Sequence, residues 1–417
     1  MAKLNESLSE KLHSLGVQVG AVKVLTPSKV KHGIEDVVDG AYLPTSFGDI
    51  FCSSIGHGIA YAHGRVTITP PIISTQLALW NKTDSNLTSI DPSTIIFLDT
   101  ETTGLSGGTG TLPFMVGLGW FSTEGFVTSQ LFIRNPAEEP ALIAKLDQIL
   151  TNARAIVTYN GKGFDIPLLN TRYVINGMLS PLKDIPHFDL LPISRRLWKR
   201  RLENRGLKDI ETEILGYTRS QMEVPGWEIP IIYFDYLRTH DPEPLAGVFY
   251  HNAVDILSLA ALFIFINQMF ESPEIRSDIS AVDSLSLAIL FEDTGEIENA
   301  VALYEMLFNI DLPDVYAAEL RLRYGRLLKR NGQFDQAVQI WNQKNGQQDF
   351  QVLIQLAKVL EHQRRDYESA LQWTILAQEK LNKLSESIPI SIFHQLNSDL
   401  LKRLERINKK IDKDKAV

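Results

Sequence analysis

A chain of 417 residues is long for one typical domain, and 44% hydrophobic with 22% charged residues supplies apolar side chain for two or three folded cores. A net charge of −9 gives no global sign of nucleic-acid binding, and the single cysteine, Cys52, excludes an internal disulfide and fits a reducing cytoplasm. The first residues, MAKLNESLSEKLHSLGV, are polar and amphipathic without an apolar signal core, and no unbroken apolar run of about 18 residues predicts a membrane span.

Residues 1–90 predict a small β-rich N-terminal region: AYLPTSFGDIFCSSIGHGIAYAHGRVTITPPII alternates short β-like runs with Gly and Pro breaks. Cys52, His57 and His63 lie close together there, but no C-x2-C or H-x3-H element accompanies them. A glycine follows each histidine, so turns are expected and not a zinc site.

From 91 to 272 the pattern turns α/β. STIIFLD, PFMVGLGWF and TSQLFIRN read as three successive strands; EEPALIAKLDQILTNA is helical, RAIVTYN a strand, and DIPLLNTRYVIN helical again. A long helix from about Leu245 to Phe270 closes the segment. That order predicts a mixed sheet flanked by helices. The Gly-rich run 104–113 lacks the G-K-[ST] of a phosphate loop and leads into a strand, so it reads as the turn between the first two strands.

Residues 280–417 are helical and repetitive. GEIENAVALY (Gly295, Ala300, Tyr304) returns as GQFDQAVQIW (Gly332, Ala337, Trp341) and, more weakly, as RDYESALQWT (Ala370, Thr374). The spacing is close to the roughly 34 residues of a tetratricopeptide repeat, and stacked helix pairs of that kind present a concave face for a protein partner. The tail KRLERINKKIDKDKAV reads as a charged capping helix.

Chemistry concentrates in three places. In FLDTETTGL, Asp99 and Glu101 project to the same side of a strand because side chains alternate faces. Asp165 follows the strand of YNGKGFD and opens a helix. In HNAVD, His251 and Asp255 are four apart on a helix and share a face. Four carboxylates at one rim repel strongly unless hard divalent cations with oxygen ligands neutralise them, Mg²⁺ or Mn²⁺ above all. Two such ions suit phosphodiester hydrolysis, with His251 placed to take a proton.

DTETTGL, YNGKGFD and HNAVD, in that order, resemble the three motifs of the DEDD exonuclease superfamily with its RNase H-like fold. The longer match, from FLDTETTGLSGGTGTLPFMVGLG through HFDLLPISRRLWKRRLENRGLKDIE to HNAVDILSLA, resembles the YprB-type RNase H-like domain, which often carries C-terminal tetratricopeptide repeats. The resemblance implies metal-dependent removal of nucleotides from 3′ ends, with Asp99, Glu101, Asp165 and Asp255 as metal ligands. It places Asn160 near the substrate, and Thr102, Thr103, Gly104 and Leu105 against the terminal nucleotide. One departure stands out. The histidine branch of the superfamily spaces its base as H-x4-D and the tyrosine branch as Y-x3-D, whereas here Tyr250 lies five and His251 four residues before Asp255. His251 is favoured because its spacing keeps it beside the acid, and Tyr250 remains the alternative.

Between the motifs, SRRLWKRRLENRGLK carries seven basic side chains against Glu203. Arg195, Arg196, Arg200 and Arg201 with Trp198 would suit a phosphate backbone and a stacked base. The expectation is therefore a cytoplasmic 3′–5′ exonuclease acting on DNA or RNA, with two alternatives: a binding scaffold with a vestigial nuclease site, or a structure-specific endonuclease.

Overall fold

A computed structural model of the chain describes residues 33–80, 85–104, 110–271, 279–343 and 349–415. The amphipathic start of the chain and Leu105, with most of the Gly-rich run, lie outside the described residues.

Among the described residues nine strands form: β1 (Ala41–Thr45), β2 (Gly48–Gly58), β3 (Ala62–His63), β4 (Val66–Thr67), β5 (Ile95–Thr102), β6 (Pro113–Ser122), β7 (Gly125–Phe132), β8 (Ala155–Thr158) and β9 (His187–Asp189). Seven make one mixed sheet in the order β1-β2-β7-β6-β5-β8-β9, and β3 with β4 is a separate hairpin. Pairing is antiparallel from β1 to β5 and parallel from β5 through β8 to β9. The three expected strands are β5, β6 and β7, and the fourth is β8. The boundary expected at residue 90 does not hold as a structural division. β2 pairs along the length of β7, from Phe51 opposite Phe132 to Gly58 opposite Gly125, so the N-terminal hairpin completes the sheet. An uncovered β7 would leave a row of unpaired backbone N–H and C=O groups.

Among the described residues, seven α-helices belong to this part: α1 (Thr75–Trp80), α2 (Glu139–Leu150), α3 (Asp165–Ile175), α4 (Leu190–Trp198), α5 (Leu207–Ile210), α6 (Ile229–Thr239) and α7 (Leu245–Glu271). β5 is buried on both faces, which explains its unbroken apolar run. Phe97 faces a core built on α7, while Ile96 and Leu98 face a second core closed by α2 and α6. α7 is long and apolar enough to cross a bilayer, yet 83% of its most apolar stretch is buried inside the protein. Glycines on β6 admit it at close range. A Cβ on Gly117 would fall 2.1 Å from Asn252 Oδ1, and one on Gly119 would fall 2.5 Å from Ile256 Cγ2.

The remainder is all helical: α8 (Ala281–Thr294), α9 (Ile297–Leu307), α10 (Asp314–Arg330), α11 (Phe334–Trp341), α12 (Phe350–Val359), α13 (Tyr367–Lys383) and α14 (Ile390–Lys415). Consecutive helices pack as three pairs with α14 against the last. Ala300, Ala337 and Ala370 are fully buried, each with its partner four residues on: Tyr304, Trp341 or Thr374. Gly295 and Gly332 take left-handed backbone at the pair turns, φ +87° and +77°. Arg365 holds the same place in the third copy at φ +57°, so the geometry of the repeat outlasts its glycine.

Candidate active site

The acids of the three motifs converge where β5 meets α7. Asp99 and Glu101 lie on the side of β5 that faces α7, and the register with β6 shifts between Glu101 and Thr102, at the strand's exit. Ligand atoms of Glu101, His251 and Asp255 all lie within 4.8 Å of one another. Asp99 Oδ2 accepts a hydrogen bond from Asn252 Nδ2 at 3.1 Å, and Asn252 Oδ1 accepts from Gln130 Nε2 at 3.1 Å. Gly117, opposite Asp99 in the ladder, leaves the space Asn252 needs. Asp165 opens α3, where the helix dipole favours an acid, and accepts from the Thr100 hydroxyl at 2.5 Å.

Burial and mutual repulsion dominate the electrostatics. Burial, then the charges of Asp255, Glu101 and Asp165, push Asp99 well above the ordinary aspartate range. Burial likewise raises Glu101 to about 7 and Asp165 to about 6. Asp255 goes the other way: burial opposes its charge, but His251 and Arg219 outweigh burial and hold it low. Burial would lower His251 too, yet its hydrogen bond and attraction to Asp255, with Glu101, lift it to about 9.

Of the two candidate bases, His251 faces the acids. Its Nδ1 lies 3.0 Å from the Val224 carbonyl oxygen, which can only accept, so that nitrogen carries hydrogen. Nε2 lies 3.3 Å from Asp255 Oδ2. Tyr250 is engaged elsewhere, its hydroxyl accepting from the Ser220 N–H at 2.7 Å.

Three further residues at this centre belong to no motif. Arg219, its side chain only 5% exposed, donates to Glu211 and Asp255 and bonds Glu223 at 3.0 Å, and Glu223 Oε1 lies 3.2 Å from His251 Nδ1. The sequence signal for them is slight, since a lone arginine in LGYTRSQMEVPGW has no periodicity to mark it as buried.

Other expected site residues sit nearby. The Thr102 hydroxyl donates to the Gly104 carbonyl at 2.8 Å, and Thr103 Oγ1 accepts from the Leu112 N–H at 3.0 Å, so both shape the turn leaving β5. Asn160 is exposed, in left-handed backbone at φ +66°, with its N–H bonded to Asp189 Oδ1 at 2.8 Å. Asn160 and Arg195 line an open cleft of about 550 Å³ with Tyr159, Leu191 and Asn204.

The basic run needs correction. Trp198 is 1% exposed and lies in the core, so it has no free face for a base. Arg196 pairs with Asp293 and stacks over Trp80 at 4.9 Å. Arg200 makes a two-pronged pair with Glu319 at 2.6 and 3.0 Å, and Arg201 pairs with Asp283 at 2.8 Å. These arginines are neutralised by carboxylates of the helical region, and α4 is the joint to it. Arg195 alone of the four faces the cleft beside Asn160. Cys52, His57 and His63 also disperse: Cys52 contacts Ser129, His57 Thr128 and His63 Ser258.

The donor set fits hard divalent cations. Asp99, Glu101, Asp165, Asp255, Glu211 and Glu223 face Arg219 and His251, an excess of oxygen donors and negative charge in a buried place. Comparison with known proteins gives two findings. Residues 96–267 match the family model of the RNase H superfamily. The uncharacterized protein YprB of Bacillus subtilis (strain 168) is 30% identical over 341 residues, covering 79% of this chain and 81% of that protein.

Proposed function

This chain belongs to the RNase H superfamily, in the family of YprB, and on that premise we propose that it is a metal-dependent nuclease that shortens DNA or RNA from the 3′ end. The observation that carries the reading is the buried acid cluster at the exit of β5, whose burial and mutual repulsion raise Asp99 and Glu101 and would be relieved by bound cations. Asp99, Glu101, Asp165 and Asp255 would hold two Mg²⁺ or Mn²⁺. Bound there, such ions neutralise the acids, ease the pull that keeps His251 protonated, and stabilise charge on the scissile phosphate.

The chain's own groups do the rest. His251, anchored through Nδ1 by Val224, presents Nε2 to accept the proton of the attacking water. Arg219 keeps Asp255 ionised and in place, and Asn252 orients Asp99. Asn160 and Arg195 receive the strand in the adjoining cleft. The helical pairs, read as tetratricopeptide-like, hold a protein partner, and the setting is the cytoplasm.

A 5′-labelled single-stranded oligonucleotide incubated with Mn²⁺ tests the reading. Stepwise shortening that is abolished in Asp99→Asn is the expected result. An internal cut on a branched oligonucleotide would instead identify a structure-specific endonuclease, and binding without cleavage would identify a scaffold.

A further inference from the structure

With Trp198 in the core, the cleft keeps the half-buried Tyr159 as its aromatic residue, and a far more exposed ring stands elsewhere. Trp227 is 65% exposed, unusual for the largest aromatic side chain. The segment that carries it is bound to the acid centre at several points. Arg219 reaches Asp255 and Glu211, the Ser220 N–H donates to Tyr250, and the Val224 carbonyl accepts from His251. Gly226 also lies against the histidine: a Cβ there would be 3.9 Å from His251 Cε1. Trp227 is the next residue, its Cα about 3.8 Å on along the backbone, with most of its surface open.

We propose that Trp227 is the stacking platform for an unpaired base of the strand being cut, placed beside His251 by the latched segment 219–226. The inference rests on the nuclease reading and adds a substrate preference: single-stranded ends, or ends that can be opened, bind better than blunt duplex. Every base has an apolar face, so the platform is indifferent to sequence.

Fluorescence anisotropy with 5′-fluorescein oligothymidine tests it, using Asp99→Asn to suppress cleavage. Adding Trp227→Ala is expected to raise Kd about 5- to 150-fold, the effect of losing one stacked base, while Trp227→Phe retains most of the affinity. An oligonucleotide with abasic sites at its 3′ end should bind the Asp99→Asn chain more weakly, yet lose nothing further with Trp227→Ala. Affinity within twofold in Trp227→Ala, with circular dichroism unchanged, overturns the platform. If the native chain still shortens the strand in that case, the nuclease reading stands without it. If the native chain neither binds nor cuts, both fall together.

Discussion

At the scale of single residues, the acid centre predicts an unusual pH dependence. Glu101 and Asp165 titrate near 7 and 6 in the cation-free protein, above the 4.5 and 3.8 they would show in an unfolded chain. The folded state therefore binds more protons across that interval, and their contribution to stability is present at low pH and lost as pH rises through 6 to 7. Cations displace those protons. The rise in Tm on adding Mn²⁺ should thus be small near about pH 5.5 and grow toward about pH 8. Differential scanning fluorimetry across that range would show it, and a rise independent of pH would count against cation binding at these acids. His63 and His187, pushed down to about 4 by burial, act in the opposite sense. Their folded pKa lies below 6.5, so their contribution is lost as pH falls from 6.5 toward 4.

The motif acids were legible because strand and helix periods fix which side chains share a face: Asp99 with Glu101, and His251 with Asp255. Arg219 and Glu223 were not, because their place depends on how one loop folds back across α7, and Glu211, on the helical turn after α5, has no partner until that loop brings Arg219 to it. Trp198 was misread for a related reason. On α4 the arginines and the tryptophan are neighbours in sequence but point in different directions, and the sequence names no partner for either face.

At the scale of elements, the turn after α4 makes a prediction opposite to that of a solvated basic patch. Neutralising Arg200 and Arg201 together should leave the salt dependence of nucleic-acid binding unchanged, since both already face carboxylates. Stability should fall by about 1.5–3 kcal/mol for each charged hydrogen-bonded partner removed, measurable by urea unfolding. A lessened salt slope would restore them to the substrate surface. The helix pairs offer a test in the stabilising direction. Arg365 carries the left-handed strain that Gly295 and Gly332 avoid, so Arg365→Gly should gain about 1 kcal/mol, read as a higher urea midpoint. The strands β5 to β8 and the long α7 were plain from their apolar runs. β9 was hidden in the three residues of HFD, and the membership of β1 and β2 in the main sheet could not be read from local alternation, which says nothing about pairing partner.

At the scale of the whole molecule, the RNase H-like fold and the helical region share one core. Phe270 at the end of α7 meets Phe291 of α8 edge-to-face at 5.6 Å, and Trp198, Leu285 and Ala288 belong to the same cluster. A fragment ending at residue 272 should expose that surface and show ANS binding or aggregation, whereas an independent catalytic domain would stay monomeric by size-exclusion chromatography. Two modules joined by a free linker would tolerate the cut.

The two ends of α4 carry a consequence of their own. Asp189, which caps its start, also holds the backbone of Asn160 and Lys162, while Arg200 and Arg201 in the turn after its end are paired with α10 and α8. A single short rod thus spans from cleft to array, leaving no slack between them. Anything that binds the helical region would therefore keep a constant distance and bearing from the acid centre, as a workpiece does in a jig.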